Sequence, residues 1–237
     1  MNKRFLLLTW VLFILAVTVL SLLPGGEGFD SELKLYSRSS FIMLAYEHIV
    51  LVGMSSVLAV IVGVSCGIFV TRGIGVQFLP VVNMLASVGQ TFPPVAVLAL
   101  AVPMVGFGAK PTIIALFCYG IFPIVRNTIA GIESVAEDVK EAAKGIGMSD
   151  REVLYKVELP LSVPIIITGV RTSVIINIGT ATIGATIGAG GFGAPIISGL
   201  INNNLYFILQ GGVCVALLAV FIDQLMELVA QRFTSDI

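Results

Sequence analysis

The segment EAAKGIGMSDREVLYKVELP, residues 141–160, is a charged, cap-rich island in an otherwise apolar chain. Nearly continuous apolar sequence flanks it on both sides, and of all 237 residues 57% are hydrophobic and only 11% are charged. The mean hydropathy of +1.04 is far above that of a soluble fold of this size, because a soluble fold must cover itself with polar groups. The composition therefore predicts an integral membrane protein.

Outside the island, the sequence divides into apolar runs of the length that a membrane-spanning helix needs, about 20 residues. Six such runs lie at 5–23, 49–71, 76–104, 112–130, 162–189 and 208–230. Long unbroken runs are not typical of a transmembrane β-barrel, whose strands are short segments of alternating hydrophobicity. We therefore predict an all-α, polytopic membrane protein with about six transmembrane helices.

The positions of the 13 basic residues predict the topology. If the N-terminus is cytoplasmic, the inside segments hold Lys3, Arg4, Arg72, Arg126, Lys140, Lys144, Arg151, Lys156, Arg171 and Arg232. The outside segments then hold only Lys34, Arg38 and Lys110. Lys and Arg resist translocation, so we expect both termini and the island on the cytoplasmic side. The alternative of a secretory signal over residues 1–23 is disfavoured by the length of the run and the lack of an A-x-A cleavage pattern.

The sequence lacks the residues that would support covalent chemistry. Cys66, Cys118 and Cys214 lie in different apolar runs with no C-x-x-C pair, so neither a disulfide framework nor a metal site is predicted. There is no G-x-x-x-x-G-K-[ST] phosphate loop, no H-E-x-x-H and no G-x-S-x-G. We expect no enzyme activity, no cofactor, no metal and no nucleic-acid partner for this chain.

Five polar residues lie at the predicted membrane boundaries. For the single histidine, His48, an interfacial role is favoured over a proton relay. Arg126, Arg171, Asp223 and Glu227 fall near the cytoplasmic ends of their runs, where long side chains can snorkel to the interface. We favour snorkelling over the functional role that intramembrane charges often have.

The third apolar run contains GQTFPPVAVLALAVP, residues 89–103, in which Pro93, Pro94 and Pro103 each remove a backbone donor and break regular helix. Broken helices at membrane depth survive where they face protein or a water-filled path. The segment is therefore either a packing kink or part of a translocation route lined by Gln90, Thr91 and the carbonyls freed near Pro93.

The fifth run contains TSVIINIGTATIGATIGAGGFG, residues 172–193, which is rich in small residues. Gly184 and Gly188 form a G-x-x-x-G pair, which favours close helix packing at a subunit interface or beside the pore. Asn177, Thr180 and Thr182 add uncharged polar groups that, with those of the third run, can solvate a passing cation or zwitterion. We therefore include these three residues in the predicted translocation path.

Two S-x-x-E capping boxes, at Ser134 with Glu137 and at Ser149 with Glu152, predict two short helices in and before the island. The first is expected over about 135–146, and the second over about 150–157, ending before a proline. Gly147 is the predicted elbow, because glycine takes the left-handed conformation that often ends a helix.

The first of these helices is expected to be amphipathic. One side is apolar and carries Val135, Val139, Ala142, Ala143 and Ile146. Charged residues occupy the other sides. From periodicity alone, the helix pair is either a membrane-surface linker or a docking element for a cytoplasmic partner.

The island also carries a family signature. Its residues match the pattern EAA-x3-G-x9-[I/V]-x-LP at Glu141, Ala142, Ala143, Gly147, Val157, Leu159 and Pro160. In this the chain resembles the permeases of binding-protein-dependent ABC importers, and the likeness covers about residues 49–200. The segments VGQTFPPVAVLALAVP and KVELPLSVPIIITGVRTSVIINIGTATIGATIGAGGFG are similar to osmoprotectant permeases for glycine betaine, carnitine and choline, most of all to the low-affinity or stationary-phase branch.

The resemblance implies a type I importer permease in the bacterial inner membrane. Residues 1–48 would form the first helix and an outer loop, 49–230 the permease core with a cytoplasmic coupling loop at 131–160, and 231–237 a cytoplasmic tail. The seven signature residues would sit in a groove of a cytoplasmic ABC ATPase dimer, where ATP hydrolysis is expected. The other implied partners are a second permease copy or homologous permease chain and an extracytoplasmic substrate-binding protein.

Two other functions stay open. The chain could be an ABC permease for another small solute, such as methionine or an oxyanion, because the signature is shared across these systems. It could also be an ion-gradient transporter or channel, although the sequence offers no acidic and basic pair at mid-membrane. The single Trp and five Tyr form no clustered cage for a quaternary ammonium group, so we expect solute selection in the separate receptor.

Overall fold

The computed structural model describes residues 3–22, 36 and 38–234, and within those residues it is helical without strands. The α-helices are α1 (Lys3–Leu22), α2 (Phe41–Val70), α3 (Leu79–Gly89), α4 (Pro94–Val105), α5 (Ala109–Glu133), α6 (Glu137–Gly145), α7 (Asp150–Val153), α8 (Leu159–Gly184), α9 (Gly193–Ile201) and α10 (Leu205–Thr234). Two 3-10 segments, Gly73–Phe78 and Ala185–Ile187, and a π turn, Leu154–Glu158, connect some of them.

Four of the described helices are long and apolar enough to cross a membrane: Phe41–Val70, Ala109–Glu133, Asp150–Ile187 and Leu205–Phe233. A fifth crossing results if the bent pair Gly73–Gly89 and Pro94–Val105 is counted as one span, and Leu7–Leu20 is a shorter apolar helix. The all-α membrane fold is thus as predicted, and each of the six apolar runs contains helix. Most of the predicted outer loop, residues 23–35 and 37, and residues 235–237 of the tail lie outside the described residues.

Helix α5 lies at the centre of the bundle, between α2 and α8. Glycines let these three helices approach closely: a Cβ at Gly67 of α2 would lie 2.6 Å from Cβ of Thr128, and one at Gly169 of α8 would lie 2.6 Å from Cβ of Asn127. Helix α10 packs on the outer side of α8 and contacts α1 and α9. The α2, α5 and α8 trio therefore forms the close-packed centre of the fold.

The third apolar run is divided into two helices that are inclined at 100° to each other. The break falls at the Pro93-Pro94 pair, where two successive residues lack the backbone N–H that a continuing helix needs. Pro103, in contrast, lies inside α4, so the predicted break at this residue is wrong. Helix α4 ends two residues later, at Val105, so the missing donor at Pro103 affects only its last turn.

A charged cluster joins α8 to α10 within the membrane-crossing part of the bundle. Arg171 donates from Nε to Oδ1 of Asp223 at 2.6 Å and from Nη2 to Oδ2 at 2.9 Å, and it also pairs with Glu227. The charges of these three residues are therefore paired between helices, and snorkelling to the membrane interface stays a prediction for them and for Arg126. The interfacial role predicted for His48 is wrong, since His48 is fully buried with Nε2 3.0 Å from the carbonyl oxygen of Ile178.

Candidate functional site

The first of the two predicted short helices begins later than the sequence pattern predicts. Helix α5 continues to Glu133, so Ser134 is the C-cap of that helix, and its hydroxyl donates to the Gly131 carbonyl at 2.7 Å. Helix α6 then begins at Glu137 after Ala136, which provides no side-chain cap. The predicted capping box at Ser134 is therefore wrong.

The predicted elbow is present at Gly147, which has φ +91°. The Gly147 N–H donates to the Lys144 carbonyl at 2.9 Å, and the Met148 N–H donates to the Ala143 carbonyl at 3.2 Å. These two hydrogen bonds define a Schellman motif, in which a left-handed residue ends the helix and satisfies its last carbonyls. The chain thus turns sharply between α6 and α7 at a position that favours glycine.

The second capping box is present. Ser149 accepts from the Glu152 N–H, and the Glu152 carboxylate accepts from the Ser149 N–H at 3.1 Å. The predicted end of this helix before Pro160 is wrong, because a π turn carries the chain from α7 directly into α8. In that turn the Leu159 N–H donates to the Leu154 carbonyl, and the wider π turn accommodates a proline that cannot donate.

One ion pair links α6 to α7, and a second lies within α6. Lys144 Nζ lies 3.1 Å from Oδ1 of Asp150, which links α6 to α7 across the elbow. Within α6, Lys140 pairs with Glu137, and the hydrogen bond and charge of Lys140 lower the pKa of the Glu137 carboxyl. Both pairs are partly exposed, so they fix orientation more than they stabilise the fold.

The apolar residues in and just before the island face two directions, not the single predicted side. Val135, Ala143 and Val153 are buried. Ile146 is 78% exposed, and Val139 also points outward. Of the signature residues, Glu141 and Ala142 are exposed on α6. The island therefore presents a mixed apolar and acidic outer surface on a short helix with fixed ends.

An ion pair that the sequence pattern did not reveal fixes the base of the island. Glu158, which is 2% exposed, pairs with Arg72 in the turn after α2. Glu158 occupies the unspecified position between Val157 and Leu159 of the signature, so the motif gave no reason to select it. The pair ties the π turn before α8 to the end of α2.

The break between α3 and α4 opens into a pocket of about 560 Å³. Four of the residues predicted for the translocation path line it together: Gln90, Thr91, Pro93 and Thr180. The remaining lining residues are Phe92, Pro94, Tyr119, Thr172 and Ile176. The pocket is thus bounded by the α3–α4 break, by α5 and by α8.

The other two predicted path residues are not among the lining residues of this pocket. Asn177 is fully buried between helices, where its Nδ2 donates to the Ser56 hydroxyl at 3.3 Å. The Thr182 hydroxyl donates to the Gly179 carbonyl, 2.7 Å away within its own helix. Asn177 and Ser56 join α8 to α2, so this position of Asn177 is one of helix packing.

The two glycines of the G-x-x-x-G pair occupy different environments. A Cβ at Gly184 would lie 2.5 Å from Cγ2 of Thr112, so α8 and α5 of this chain touch here. Gly188 has φ +80° and no atom within 4 Å of an added Cβ. Gly188 therefore lies in the turn after the Ala185–Ile187 segment and makes no helix contact within the described chain, and its predicted place at a subunit interface or beside the pore stays a prediction.

The long apolar helices, the helix broken at membrane depth and the charged loop between α5 and α8 define a polytopic membrane transport protein. The chain belongs to the family of binding-protein-dependent transport system inner membrane components, whose model matches residues 63–235.

Curated relatives share most of the length of the chain. The osmoprotectant import permease protein OsmY of Salmonella typhimurium is 37% identical over 233 residues, which cover 98% of this chain and 96% of the relative. The choline transport system permease protein OpuBB of Bacillus subtilis is 42% identical over 195 residues, covering 80% of this chain and 86% of the relative.

Solved structures share the fold. A structure of the MetNI methionine ABC transporter in inward-facing conformations matches with a TM-score of 0.73 at 19% identity, covering 81% of this chain and 95% of the matched chain. The fold is therefore that of an ABC importer permease, as predicted.

Proposed function

We propose that the chain is the transmembrane permease subunit of an ATP-driven importer of quaternary-amine osmoprotectants such as glycine betaine. The island is the observation that carries this proposal, because its signature residues lie on a short exposed helix, at the glycine elbow that ends this helix, and at the π turn that leads into α8. The osmoprotectant and choline permeases that resemble the chain over most of its length support the solute class.

In the proposed function, the island docks in a groove of a cytoplasmic ATPase dimer, and ATP hydrolysis takes place in that partner. Both termini and the island lie on the cytoplasmic side, in keeping with the distribution of Lys and Arg. Two ATPase subunits require two coupling loops, so a second permease copy or a homologous permease chain completes the complex. An extracytoplasmic substrate-binding protein delivers the solute at the opposite face.

The signature residues divide into two groups in this mechanism. Glu141 and Ala142 are exposed and contact the ATPase, whereas Ala143 is buried where α6 packs on α7 and the π turn. Gly147 and the Val157, Leu159 and Pro160 segment set the angle between the docking helix and α8. The exposed side chain of Ile146 adds apolar area to the docking surface.

The composition and transport activity of the complex test the proposal. We expect an ATPase and a second permease chain to co-purify with the tagged subunit, and uptake of labelled glycine betaine or choline into vesicles to require ATP and a binding protein. A complex that takes up methionine or an oxyanion would show that the solute class is wrong. Uptake driven by an ion gradient without any ATPase would refute the proposal as a whole.

A further inference from the structure

The pocket at the α3–α4 break contains two aromatic side chains that lie apart in the sequence. Phe92 comes from the break itself and Tyr119 from the middle of α5. Phe92 is 48% exposed, and Tyr119 lines the pocket although it is 92% buried, being 8% exposed. A search of the sequence for clustered Trp and Tyr could not find this pair, because it depends on how α3–α4 packs on α5.

The described residues that line the pocket include no Asp, Glu, Lys or Arg. Their polar groups are the side chains of Gln90, Thr91, Thr172 and Thr180. The Thr91 hydroxyl donates to the Val88 carbonyl at 2.7 Å and the Thr172 hydroxyl to the Thr168 carbonyl at 2.9 Å, so their free lone pairs act as acceptors. The pocket is therefore lined by uncharged side chains, with hydroxyl acceptors and two aromatic rings.

This combination suits one kind of cation. A primary ammonium group needs hydrogen-bond acceptors for each of its N–H groups, as a Lys side chain does. A quaternary ammonium group has no N–H, spreads its charge over methyl groups and is attracted to the faces of aromatic rings. A volume of about 560 Å³ is within the 300–1,000 Å³ range of small-molecule sites.

We infer that this pocket is a transit site for the quaternary ammonium group of the solute, with the rings of Phe92 and Tyr119 against its methyl groups. The inference rests on the proposed function and adds the place in the permease where the solute is recognised. The carboxamide of Gln90 has N–H donors for a carboxylate at the other end of a zwitterion. The Tyr119 hydroxyl is buried without a hydrogen-bond partner among the described residues, so Tyr119 offers its ring and not its hydroxyl to the solute.

The site is suited to weak and selective holding. A cation–π contact contributes about 0.5–1 kcal/mol at an exposed site and about 2 when desolvated. Two neutral walls of this kind favour the methylated cation over an uncharged group of the same shape without forming a deep well. Phe92 and Tyr119 would instead show no preference for charge if they were only a packing surface for a second permease chain.

A pair of isosteres separates these two roles. Choline and 3,3-dimethylbutan-1-ol have the same shape, but the second carries a tert-butyl group in place of the trimethylammonium group. Saturation-transfer NMR measures the affinity of each for the purified permease and ATPase complex with no binding protein present. We expect choline to bind about threefold to thirtyfold more tightly than the neutral isostere, as one or two cation–π contacts imply.

Four variants assign that preference to the rings. Phe92→Leu should abolish most of it, and Tyr119→Phe should retain it, because the ring face stays. Phe107→Leu is the matched control, since Phe107 is 78% exposed and is not a lining residue of the pocket. Equal affinities of the parent complex for both probes, or binding of neither, would overturn the inference without any variant. A preference that survives both Phe92→Leu and Tyr119→Leu would overturn it as well.

The outcome does not depend on the uptake assay that tests the proposed function. A complex that transports an unrelated solute but prefers choline to its isostere would keep the site and lose the proposed function. A complex that imports glycine betaine but shows no such preference would keep the function and lose the site.

Discussion

Replacing Gly147 by valine tests the elbow of the island at its most constrained position. Gly147 has φ +91°, and an added Cβ would meet no atom within 4 Å. The energetic cost is therefore conformational and does not arise from a clash with neighbouring residues. A residue with a Cβ costs about 1–2 kcal/mol in the left-handed region, and a β-branched side chain costs more.

Two hydrogen bonds depend on this conformation: those from Gly147 to the Lys144 carbonyl, at 2.9 Å, and from Met148 to the Ala143 carbonyl, at 3.2 Å. Each hydrogen bond contributes about 0.5–1.5 kcal/mol net. Together they therefore stabilise the left-handed conformation by about as much as the valine side chain would destabilise it. A strain of about 1–2 kcal/mol shifts the population of the loop roughly fivefold to thirtyfold toward other conformations. The docking helix should then lose its fixed angle to α8, while the bundle stays folded.

The assay compares solute uptake with ATPase stimulation in vesicles that contain the whole complex. We expect Gly147→Val to insert normally and to take up less solute per ATP hydrolysed. Gly145→Val is the matched control, because Gly145 is the last residue of α6, has helical φ and also has no atom within 4 Å of an added Cβ. Normal uptake with normal ATPase stimulation in the Gly147 variant would refute the role of the elbow.

Three further substitutions test other parts of the structure. Glu141→Lys should release the ATPase from the detergent-solubilised complex, because it reverses a charge on the docking surface. The control Asp138→Lys should retain the ATPase at parental stoichiometry. The same retention in the Glu141 variant would exclude a docking role for Glu141. Gly169→Ala should lower the free energy of unfolding in detergent by about 1–3 kcal/mol, because its Cβ would lie 2.8 Å from a backbone oxygen of α5. Gly179 is in open space on the same helix, so Gly179→Ala should raise the free energy of unfolding by up to about 1 kcal/mol. Equal effects of the two substitutions would contradict the packing of α5 on α8. Glu158→Gln should destabilise the fold by less than the ~3–5 kcal/mol that breaking a fully buried ion pair costs, because the side chain of its partner Arg72 is 35% exposed. An unchanged unfolding midpoint would show that the pair contributes nothing to stability.

Local sequence predicted the features that depend on local chemistry. Runs of apolar residues predicted the helices, two adjacent prolines predicted the break at Pro93, and an S-x-x-E pattern predicted the cap at Ser149. Gly147 was predicted as the elbow because a helix end needs a left-handed residue there. Each of these follows from backbone hydrogen bonding within a few residues.

The same patterns failed where a neighbouring element decided the outcome. Ser134 has the same S-x-x-E spacing as Ser149, but α5 extends through Glu133 and uses Ser134 as its own end. Gly184 and Gly188 have the spacing of a packing motif, but the helical segment ends before Gly188. In both cases the length of the adjoining helix, which tertiary packing sets, decides the role of the residue.

Sequence patterns could not predict ion pairs between residues that are far apart in the chain. Arg171 is separated by 52 residues from Asp223, and the five helices α3 to α7 lie between Arg72 and Glu158 in the chain. Charge indicated Arg171 and Asp223 as candidates but not Glu158, and in both pairs the choice of partner depends on which helices are neighbours in the bundle. The aromatic pair of the pocket escaped detection for the same reason.

One continuous helical segment links the island to the pocket. From Asp150 the chain runs through the π turn and α8 without a break to Ile187, and Thr180 of that segment lines the pocket. At 1.5 Å per residue, the distance from Asp150 to Thr180 is about 45 Å along the helix. We expect a helix of this length, packed along α5, to move as a unit.

In the proposed transporter, this continuity has a mechanical consequence. A displacement of the docking helix reaches Asp150 through the elbow and the Lys144 pair, and α8 carries it to the wall of the pocket. The opposite wall, at the α3–α4 break, is a separate element that rests mainly on α5. Relative movement of these two walls changes the distance between Phe92 and the α8 side of the pocket, so closure of the ATPase would alter the hold on the solute without any flexible link in between.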